Sequence, residues 1–213
     1  GVDTGKLKYR TGGLNKPGRK ERLSLNLPES MDVEPVPEGR TLNDLLLAGE
    51  LDAVLSPAPP DAFSPGDNGG GNGGDDGVER LFADPAEEER GYFGKTGMFP
   101  IMHVIGVRRS LVDENEGLAA DLYRAFLEAR RLALADMELT AKASANRLSL
   151  PWFAAEWERT RALMGKGFWP YGVSENRKEL EAACRYSLEQ HLSDRLLSAD
   201  ELFASETLDL PGI

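Results

Sequence analysis

The sequence predicts an α/β fold, with a parallel sheet in its first half and mainly helices in its second. Three observations support this prediction. Residues 33–36, 41–48 and 51–55 follow the order strand, helix, strand, which is typical of a parallel sheet. Residues 99–108 are the strongest strand candidate of the chain, and from residue 115 onward leucines and alanines recur at helical spacing.

The first half combines short apolar segments with glycine-rich turns. Residues 6–11 are predicted to be extended, and the glycines and prolines that follow predict a turn-rich loop. A strand is predicted at 33–36 and a helix at 41–48, where Thr41 is the N-cap candidate and Asp44 stands three residues on. The helix should stop at Gly49, before the apolar strand 51–55.

Residues 64–77 read SPGDNGGGNGGDDG and consist almost wholly of Gly, Asp and Asn. Such a segment cannot bury enough apolar surface to offset its ordering entropy, which predicts a flexible surface insertion over 63–77. A phosphate-binding glycine loop is the alternative. Such a loop would need an apolar strand before the glycines and a lysine followed by Ser or Thr after them, and the sequence has neither.

Helices dominate the prediction for the second half. They are expected at 77–82 and 85–93, and a long amphipathic helix is expected at 115–140 after the strand 99–108. Further helices are predicted at 150–163, 174–191 and 199–203, with Ser174 and Ser198 as caps.

Composition restricts the possible partners. The net charge of −11 comes from acids spread along the chain, which argues against a nucleic-acid surface. No apolar run approaches the roughly 18 to 20 residues that span a bilayer, so we expect a soluble protein without membrane insertion. The single cysteine, Cys184, excludes an intrachain disulfide and is expected to be a small buried residue on a helix.

Several motifs occur together in one order along the chain. They are RTGGL at 10–14, GELDAVLSPAPP at 49–60, TGMFPIMHV at 96–104, LPWFAAE at 150–156, FWPYG at 168–172 and ADELFASETLD at 199–209. In this order the chain resembles the 4,5-dihydroxyphthalate decarboxylase family. The resemblance implies a two-lobed α/β fold of the type II periplasmic-binding-protein kind that lacks its N-terminal part. Residues 1–98 would then belong mostly to the second lobe, and 99–213 would supply a crossover strand and a helical return to the first.

The resemblance also implies a reaction, the decarboxylation of a hydroxylated aromatic dicarboxylate such as 4,5-dihydroxyphthalate to protocatechuate. A hydroxyl para to the protonated ring carbon stabilises the resulting cation, so no cofactor is expected. The protein must then supply a proton donor. His103 is the catalytic candidate because it lies in the most family-like motif and an imidazole titrates near neutrality. A structural core histidine is the alternative, and His191 is expected at the surface.

The remaining candidates would bind the substrate. Arg10 and Lys95, with Thr96 beside a glycine, suit a carboxylate, as does Arg19, although solvated surface charge is the alternative reading of each cation. Ser56 follows a predicted strand at the end where open sheets bind ligands. Tyr92, Trp169 and Tyr171 could form aromatic walls, whereas Trp152 and Trp157 are expected to pack in the core.

No metal site is predicted, because no ligand spacing of the His-x-x-x-His or Cys-x-x-Cys type occurs. The expected partner is a small aromatic carboxylate, with a homo-oligomer left open. The alternative function is that of a solute-binding protein of an ABC transporter, which would capture a small anion without catalysis. A cytoplasmic location is expected for the enzyme, and a periplasmic one for the alternative.

Overall fold

A computed structural model describes residues 4–20, 27–63, 77–145 and 147–212 of the protein. The chain divides into two compact units, Gly1–Glu88 and Glu89–Ile213. The predicted insertion at 63–77 lies almost entirely outside the described residues. In the described ranges the protein is a mixture of helices with one small parallel sheet, which is compatible with the predicted α/β class.

The sheet lies in the first unit and has two strands, β1 (Lys8–Thr11) and β2 (Asp32–Pro35). They pair in parallel, in the register that places Lys8 opposite Asp32 and Thr11 opposite Pro35. β1 falls within the segment 6–11 that was predicted to be extended, and β2 overlaps the predicted strand 33–36 but is shifted by one residue.

A helix, α1 (Leu42–Leu47), follows β2 in the first unit. Thr41 is its N-cap, as predicted, and it forms a capping box with Asp44. The amides of Leu42 and Asn43 donate to the carbonyls of Gly13 and Leu14, so the turn after β1 satisfies donors that the helix itself leaves unpaired. Gly49 ends the element with a φ of +69°, a conformation that glycine adopts without strain.

Two predicted elements of the first unit do not form. Residues 51–55 were expected to be the second strand of a βαβ unit, but no described residue pairs with them and Leu55 is fully exposed. A strand requires a neighbour whose backbone accepts and donates hydrogen bonds, and an apolar run cannot provide one by itself. The helix expected at 77–82 is also absent, with Leu81 almost entirely exposed.

The described part of the second unit contains six α-helices. The first of them begins just before the boundary between the units. They are α2 (Pro85–Thr96), α3 (Arg109–Glu114), α4 (Leu118–Ala141), α5 (Phe153–Met164), α6 (Arg177–Glu189) and α7 (Ala199–Leu202). The predicted helical character of this half is therefore confirmed. The sequence did not predict α3, and the long helix expected at 115–140 begins at Leu118, after Gly117, whose φ is +80°.

The segment 99–108, predicted to be the strongest strand and the crossover strand, forms no strand in this structure. No strand of the described residues pairs with this segment, and Met102, Val104 and Ile105 are exposed. The apolar residues of this segment indicate only that it is suited to a sheet. A strand also needs a neighbouring strand to which its backbone can hydrogen-bond.

The caps of the later helices were only partly predicted. Ser198 forms a capping box with Glu201 at the start of α7, as expected. Ser174 does not cap α6, which begins after Asn176, and its hydroxyl instead donates to the adjacent Glu175 carboxylate at 2.6 Å.

A small apolar core joins α6 and α7. Val173, Leu180 and Ala199 are buried together, and Phe203 and Leu208 pack against them. Cys184 is buried on α6 and Trp157 on α5, as predicted, whereas Trp152, also expected in the core, is exposed. None of the helices in the described ranges combines the length and the apolar character that a membrane span requires.

Candidate functional site

An open cavity of about 1340 Å³ lies in the second unit. Its lining comes mainly from four parts of that unit: the segment 99–107, the first turns of α4, the residues around 167–173 and the stretch 201–207. Further lining residues come from α2, α3 and α6. His103, Trp169 and Tyr171, three of the residues that the sequence singled out, are all among the lining residues.

Aromatic side chains form one wall of this cavity. The ring centres of Phe99 and Trp169 lie 5.3 Å apart and the rings are tilted by 51° to each other, so two residues seventy positions apart in sequence are in contact. Phe168 contacts the buried Trp157 in a T-shaped arrangement, with ring centres 5.4 Å apart. The wall is thus anchored to α5 on its inner side, and Trp169 and Tyr171 face the cavity.

Residues 168–172, here called the aromatic loop, are held by the side chains of Arg130 on α4 and of Asn176, the residue before α6. Arg130 of α4 donates from Nε to the Trp169 carbonyl at 2.8 Å and from Nη2 to the Phe168 carbonyl at 3.0 Å. The amide of Asn176 donates to the carbonyls of Pro170 and Gly172, at 3.0 and 2.8 Å.

The last described residues of the chain close over the aromatic loop. The Tyr171 amide donates to the Gly212 carbonyl at 2.9 Å, and the Gly212 amide donates to the Glu175 carboxylate at 3.0 Å. The Tyr123 hydroxyl, which also lines the cavity, donates to the Pro211 carbonyl at 3.0 Å. Burial, assisted by the charge of Glu175, raises the pKa of the Tyr123 phenol, which therefore stays protonated at neutral pH.

His103 lines the cavity from the unpaired segment 99–107, and its side chain is exposed. Among the described residues, none forms a hydrogen bond with its imidazole. Both ring nitrogens are accordingly available to a ligand, which differs from the alternative of a buried core histidine held by the backbone.

The charge of the cavity lining is mainly negative. Five carboxylates and one guanidinium, that of Arg109, line it, and the carboxylates are those of Asp113, Glu116, Glu179, Glu201 and Glu206. Three of the acids have structural partners. Glu179 accepts a hydrogen bond from the Phe99 amide and Glu206 accepts one from the Ala120 amide.

Glu201 is the third of these acids. It accepts hydrogen bonds from Arg195 and from the Ser198 cap, and the bond from Arg195 is the main cause that lowers its pKa to about 2. Arg109 stands at the start of α3 and, within the described residues, has no ion-pair partner.

Three other predicted residues lie at the end of α2 and do not line the cavity. Tyr92 and Lys95 are exposed on that helix. The Thr96 hydroxyl donates to the Tyr92 carbonyl at 2.7 Å and accepts from the Met98 amide at 3.1 Å, while Lys178 donates to the Thr96 carbonyl. The polar groups of Thr96 therefore serve to terminate α2.

Arg10 and Ser56 belong to the first unit, whereas the cavity belongs to the second. Arg10, on β1, forms ion pairs with Glu34 at 3.0 Å and with Asp32 at 3.8 Å, so its charge is already balanced by two carboxylates of β2. The Ser56 hydroxyl accepts a hydrogen bond from the Ala58 amide at 3.4 Å, which is a local turn contact. Arg19 is exposed.

Sequence reasoning missed several lining residues, among them Arg109, Tyr123, Phe99 and Phe126. Arg109 directly follows the segment 99–108, which contains His103. Its position at the end of this apolar segment could have indicated a residue of the same site. Tyr123 and Phe126 carry no comparable signal, because on a long amphipathic helix they cannot be told from ordinary core residues.

Comparisons with known proteins identify relatives. The chain matches no model of a known protein family. It is 34% identical over 209 residues to 4,5-dihydroxyphthalate decarboxylase of Comamonas testosteroni, an alignment that covers 98% of this chain and 60% of that protein. It is 39% identical over 66 residues to 4,5-dihydroxyphthalate decarboxylase of Pseudomonas putida, covering 31% of this chain and 26% of the relative. The chain thus spans about three fifths of the length of the Comamonas relative.

Proposed function

Because the chain belongs to the 4,5-dihydroxyphthalate decarboxylase family, we propose that it contributes the cavity of a carboxy-lyase that acts on 4,5-dihydroxyphthalate. The product would be protocatechuate. The observation that carries this proposal is the identity of 34% along nearly the whole chain. We further propose that the two units belong to a two-lobed fold of the type II periplasmic-binding-protein kind, as the resemblance of the motifs implies.

The reaction places three demands on the protein. A proton must reach the ring carbon that bears the departing carboxylate, after which the carbon–carbon bond breaks and its electron pair restores the aromatic ring as CO2 leaves. The ring must be held in a fixed plane, and the remaining carboxylate must be bound by a positive charge or by polarised amides. No cofactor is needed for these steps.

We assign the proton donor to His103. Its imidazole lines the cavity, is exposed to it and has no described hydrogen-bonding partner that would hold its nitrogens. Histidine is the side chain that most often acts as a general acid, and in this role His103 would protonate the ring carbon and be reprotonated from solvent in each cycle.

We assign the ring contacts to Trp169 and Tyr171, with Phe99 beside Trp169. Stacking and edge contacts with these rings would hold an aromatic substrate in one plane. An apolar wall beside the departing carboxylate also favours the reaction, because neutral CO2 tolerates such surroundings better than the anion does.

For the carboxylate that stays on the ring, Arg109 is the candidate that the cavity supports. It is the one guanidinium among the described lining residues, and its planar fork matches a carboxylate. Arg10, Ser56, Tyr92, Lys95 and Thr96 remain predictions from the sequence. Arg10 would first have to release Glu34 and Asp32.

The experiment is to incubate the purified protein with 4,5-dihydroxyphthalate and to follow CO2 release together with protocatechuate formation. His103→Ala is compared with His191→Asn, which alters the only other histidine of the chain and suits its left-handed backbone, φ +59°. We expect His103→Ala to lower kcat by about 100-fold or more, as loss of a general acid does, and His191→Asn to match the wild type.

Three outcomes separate the hypotheses. Turnover that persists unchanged in His103→Ala would remove that residue as the proton donor while leaving the lyase in place. Binding of the compound without CO2 release would instead favour a solute-binding protein. If the compound neither binds nor reacts, the proposed substrate is wrong.

A further inference from the structure

We infer that Arg130 is a positioning residue of the cavity, which fixes the backbone of Trp169 and thereby the aromatic wall that would hold the substrate ring. The role in substrate binding rests on the proposed function, whereas the role in fixing Trp169 does not. Arg130 does not line the cavity itself.

The position of Arg130 is unusual for a charged residue. It lies on α4 with only 9% of its surface exposed, and it is the one charged residue that is buried in the described part of the chain. No described carboxylate pairs with it. Its charge is instead compensated by the carbonyls of Phe168 and Trp169 and by the ring face of Tyr171, whose centre is 5.8 Å away.

The two carbonyls that Arg130 binds flank one residue. The Phe168 carbonyl belongs to the peptide plane before the Trp169 Cα atom, and the Trp169 carbonyl belongs to the plane after it. One rigid guanidinium that binds both oxygens therefore restricts φ and ψ of Trp169 together.

Trp169 needs such a restraint because its φ is +60°, in the left-handed region. A bulky residue adopts this conformation at a cost, and the following Pro170 disfavours helical alternatives without selecting the left-handed one. Only Trp169 and His191 among the described non-glycine residues have a positive φ. His191 lies at an exposed helix end, whereas Trp169 stands at the cavity with its ring against Phe99.

A lysine at 130 would keep the charge and much of the length but would lose the planar fork. A single ammonium group does not impose the same angle on two carbonyls, so the two peptide planes would become free to rotate. The conservative change Arg130→Lys therefore isolates the geometric contribution. Arg131→Lys is the matched control, since Arg131 is the next residue of α4 and is exposed, with its ion pair to Glu128 of the same helix.

The experiment uses the protein labelled with 5-fluorotryptophan. Its three tryptophans give three fluorine resonances, and Trp169→Phe identifies the signal of Trp169. We expect Arg130→Lys to shift or broaden the Trp169 signal and to leave that of the exposed Trp152 unchanged, with Arg131→Lys matching the wild type. An unchanged Trp169 signal in a folded Arg130→Lys protein would overturn the inference.

If Arg130→Lys does not fold, hydrogen exchange in the wild type tests whether Arg130 is held by the carbonyls of the aromatic loop. The Nε–H of Arg130, bonded to a carbonyl in a buried site, should exchange at least about 10-fold more slowly than that of the exposed Arg131. Equal exchange rates would overturn the inference.

A kinetic measurement tests the link to substrate. With 4,5-dihydroxyphthalate, Arg130→Lys should raise KM by about 10-fold and leave kcat within about threefold, because the residue acts on ring placement and not on proton transfer. A fall in kcat with unchanged KM would contradict that link. If the wild type shows no turnover, the proposed function is refuted but the inference about Arg130 is not. The fluorine signal of Trp169 still tests whether Arg130 fixes that residue.

Discussion

The Thr41 hydroxyl accepts a hydrogen bond from the Asp44 amide at 3.0 Å, and the Asp44 carboxylate accepts one from the Thr41 amide at 2.8 Å. Thr41 is 6% exposed, so its polar atoms have little access to water as an alternative partner. The bonds to Thr41 also lower the pKa of Asp44. This contact could be predicted because it depends only on two residue types three positions apart.

We expect Thr41→Ala to reduce the free energy of unfolding by about 1 kcal/mol, since it removes the acceptor that satisfies the Asp44 amide. Thr41→Ser keeps that oxygen and should retain most of the stability. Urea denaturation of the three proteins measures the difference. A Thr41→Ala midpoint equal to that of the wild type would mean that the cap contributes nothing to the stability measured.

Gly212 lies so close to the aromatic loop that a Cβ atom built on it would overlap the Tyr171 carbonyl oxygen. No side chain can be accommodated there unless the backbone moves. This constraint could not be predicted, because residues 171 and 212 are distant along the chain and Gly212 resembles any other turn glycine in the sequence.

Gly212→Ala should therefore lower the free energy of unfolding by about 2 kcal/mol and disturb the bond from the Tyr171 amide. Gly94→Ala is the control, because Gly94 lies within α2, has open space around its Cα and gains helix propensity from the change. Thermal unfolding should show a lower midpoint for the first variant and an equal or higher one for the second. If both variants unfold like the wild type, the close approach does not exist in solution.

At the scale of elements, helix α4 is tied to α5 by a bridging carboxylate. Glu138 accepts hydrogen bonds from Lys142 of the cap of α4 at 2.6 Å and from Arg161 of α5 at 2.8 Å. These hydrogen bonds lower the pKa of Glu138 to about 2, and the bond from Lys142 is the largest cause. Since the folded-state pKa lies below the unfolded value, the carboxylate stabilises the fold above the unfolded pKa.

We expect Glu138→Gln to unfold at a slightly lower temperature than the wild type at pH 7. The effect should be small because the group is exposed to solvent, which screens the charges. The difference should be complete above about pH 5 and should shrink as the pH falls toward 2, where the folded-state carboxylate becomes protonated. Glu158→Gln, on α5, controls for the loss of one exposed charge. A difference that grows as the pH falls would contradict this account.

The elements also show where prediction from sequence stops. Most helices were identified from their spacing, because a helix satisfies its hydrogen bonds within one segment, although the helix expected at 77–82 did not form and α3 was not predicted. Strands were predicted less well. β1 and β2 pair with each other, but the segments 51–55 and 99–108, which were also expected to be strands, pair with no strand of the described residues. An apolar pattern cannot specify which segment will lie beside it.

For the molecule as a whole, charge opposes the proposed substrate. The chain carries a net charge of −11, and five of the six fully charged side chains that line the cavity in the described residues are acidic. A dicarboxylate approaching this protein is repelled on average, and only local groups such as Arg109 can attract it.

We therefore expect KM for 4,5-dihydroxyphthalate to fall as the ionic strength rises from about 10 to 150 mM, because salt screens the repulsion over distances beyond about 10 Å more than it weakens a close ion pair. Steady-state kinetics at constant pH measures this dependence. A neutral competitive ligand serves as the control and should bind with an affinity nearly independent of salt. A KM that rises with salt would show that attraction to cations outweighs the net charge.

Three of the residues that the sequence singled out line the cavity of the second unit. His103, Trp169 and Tyr171 meet at one cavity, but whether they act on a substrate stays a prediction. Arg130 could not be recognised, because the sequence presents it as one of two adjacent arginines, and only the path of the chain distinguishes the buried Arg130 from the exposed Arg131.

The bond between the Tyr171 amide and the Gly212 carbonyl also has a consequence for the order of folding. It closes a loop of about forty residues that contains α6 and α7, and the Tyr123 hydroxyl reaches Pro211 across an even longer separation. Contacts so distant in sequence form late, after the local helices have reduced the entropy of closure. On the ribosome, the aromatic loop cannot complete these bonds until residues 210–212 have emerged. We therefore expect the wall of the cavity to form late within the second unit, after the helices that surround it.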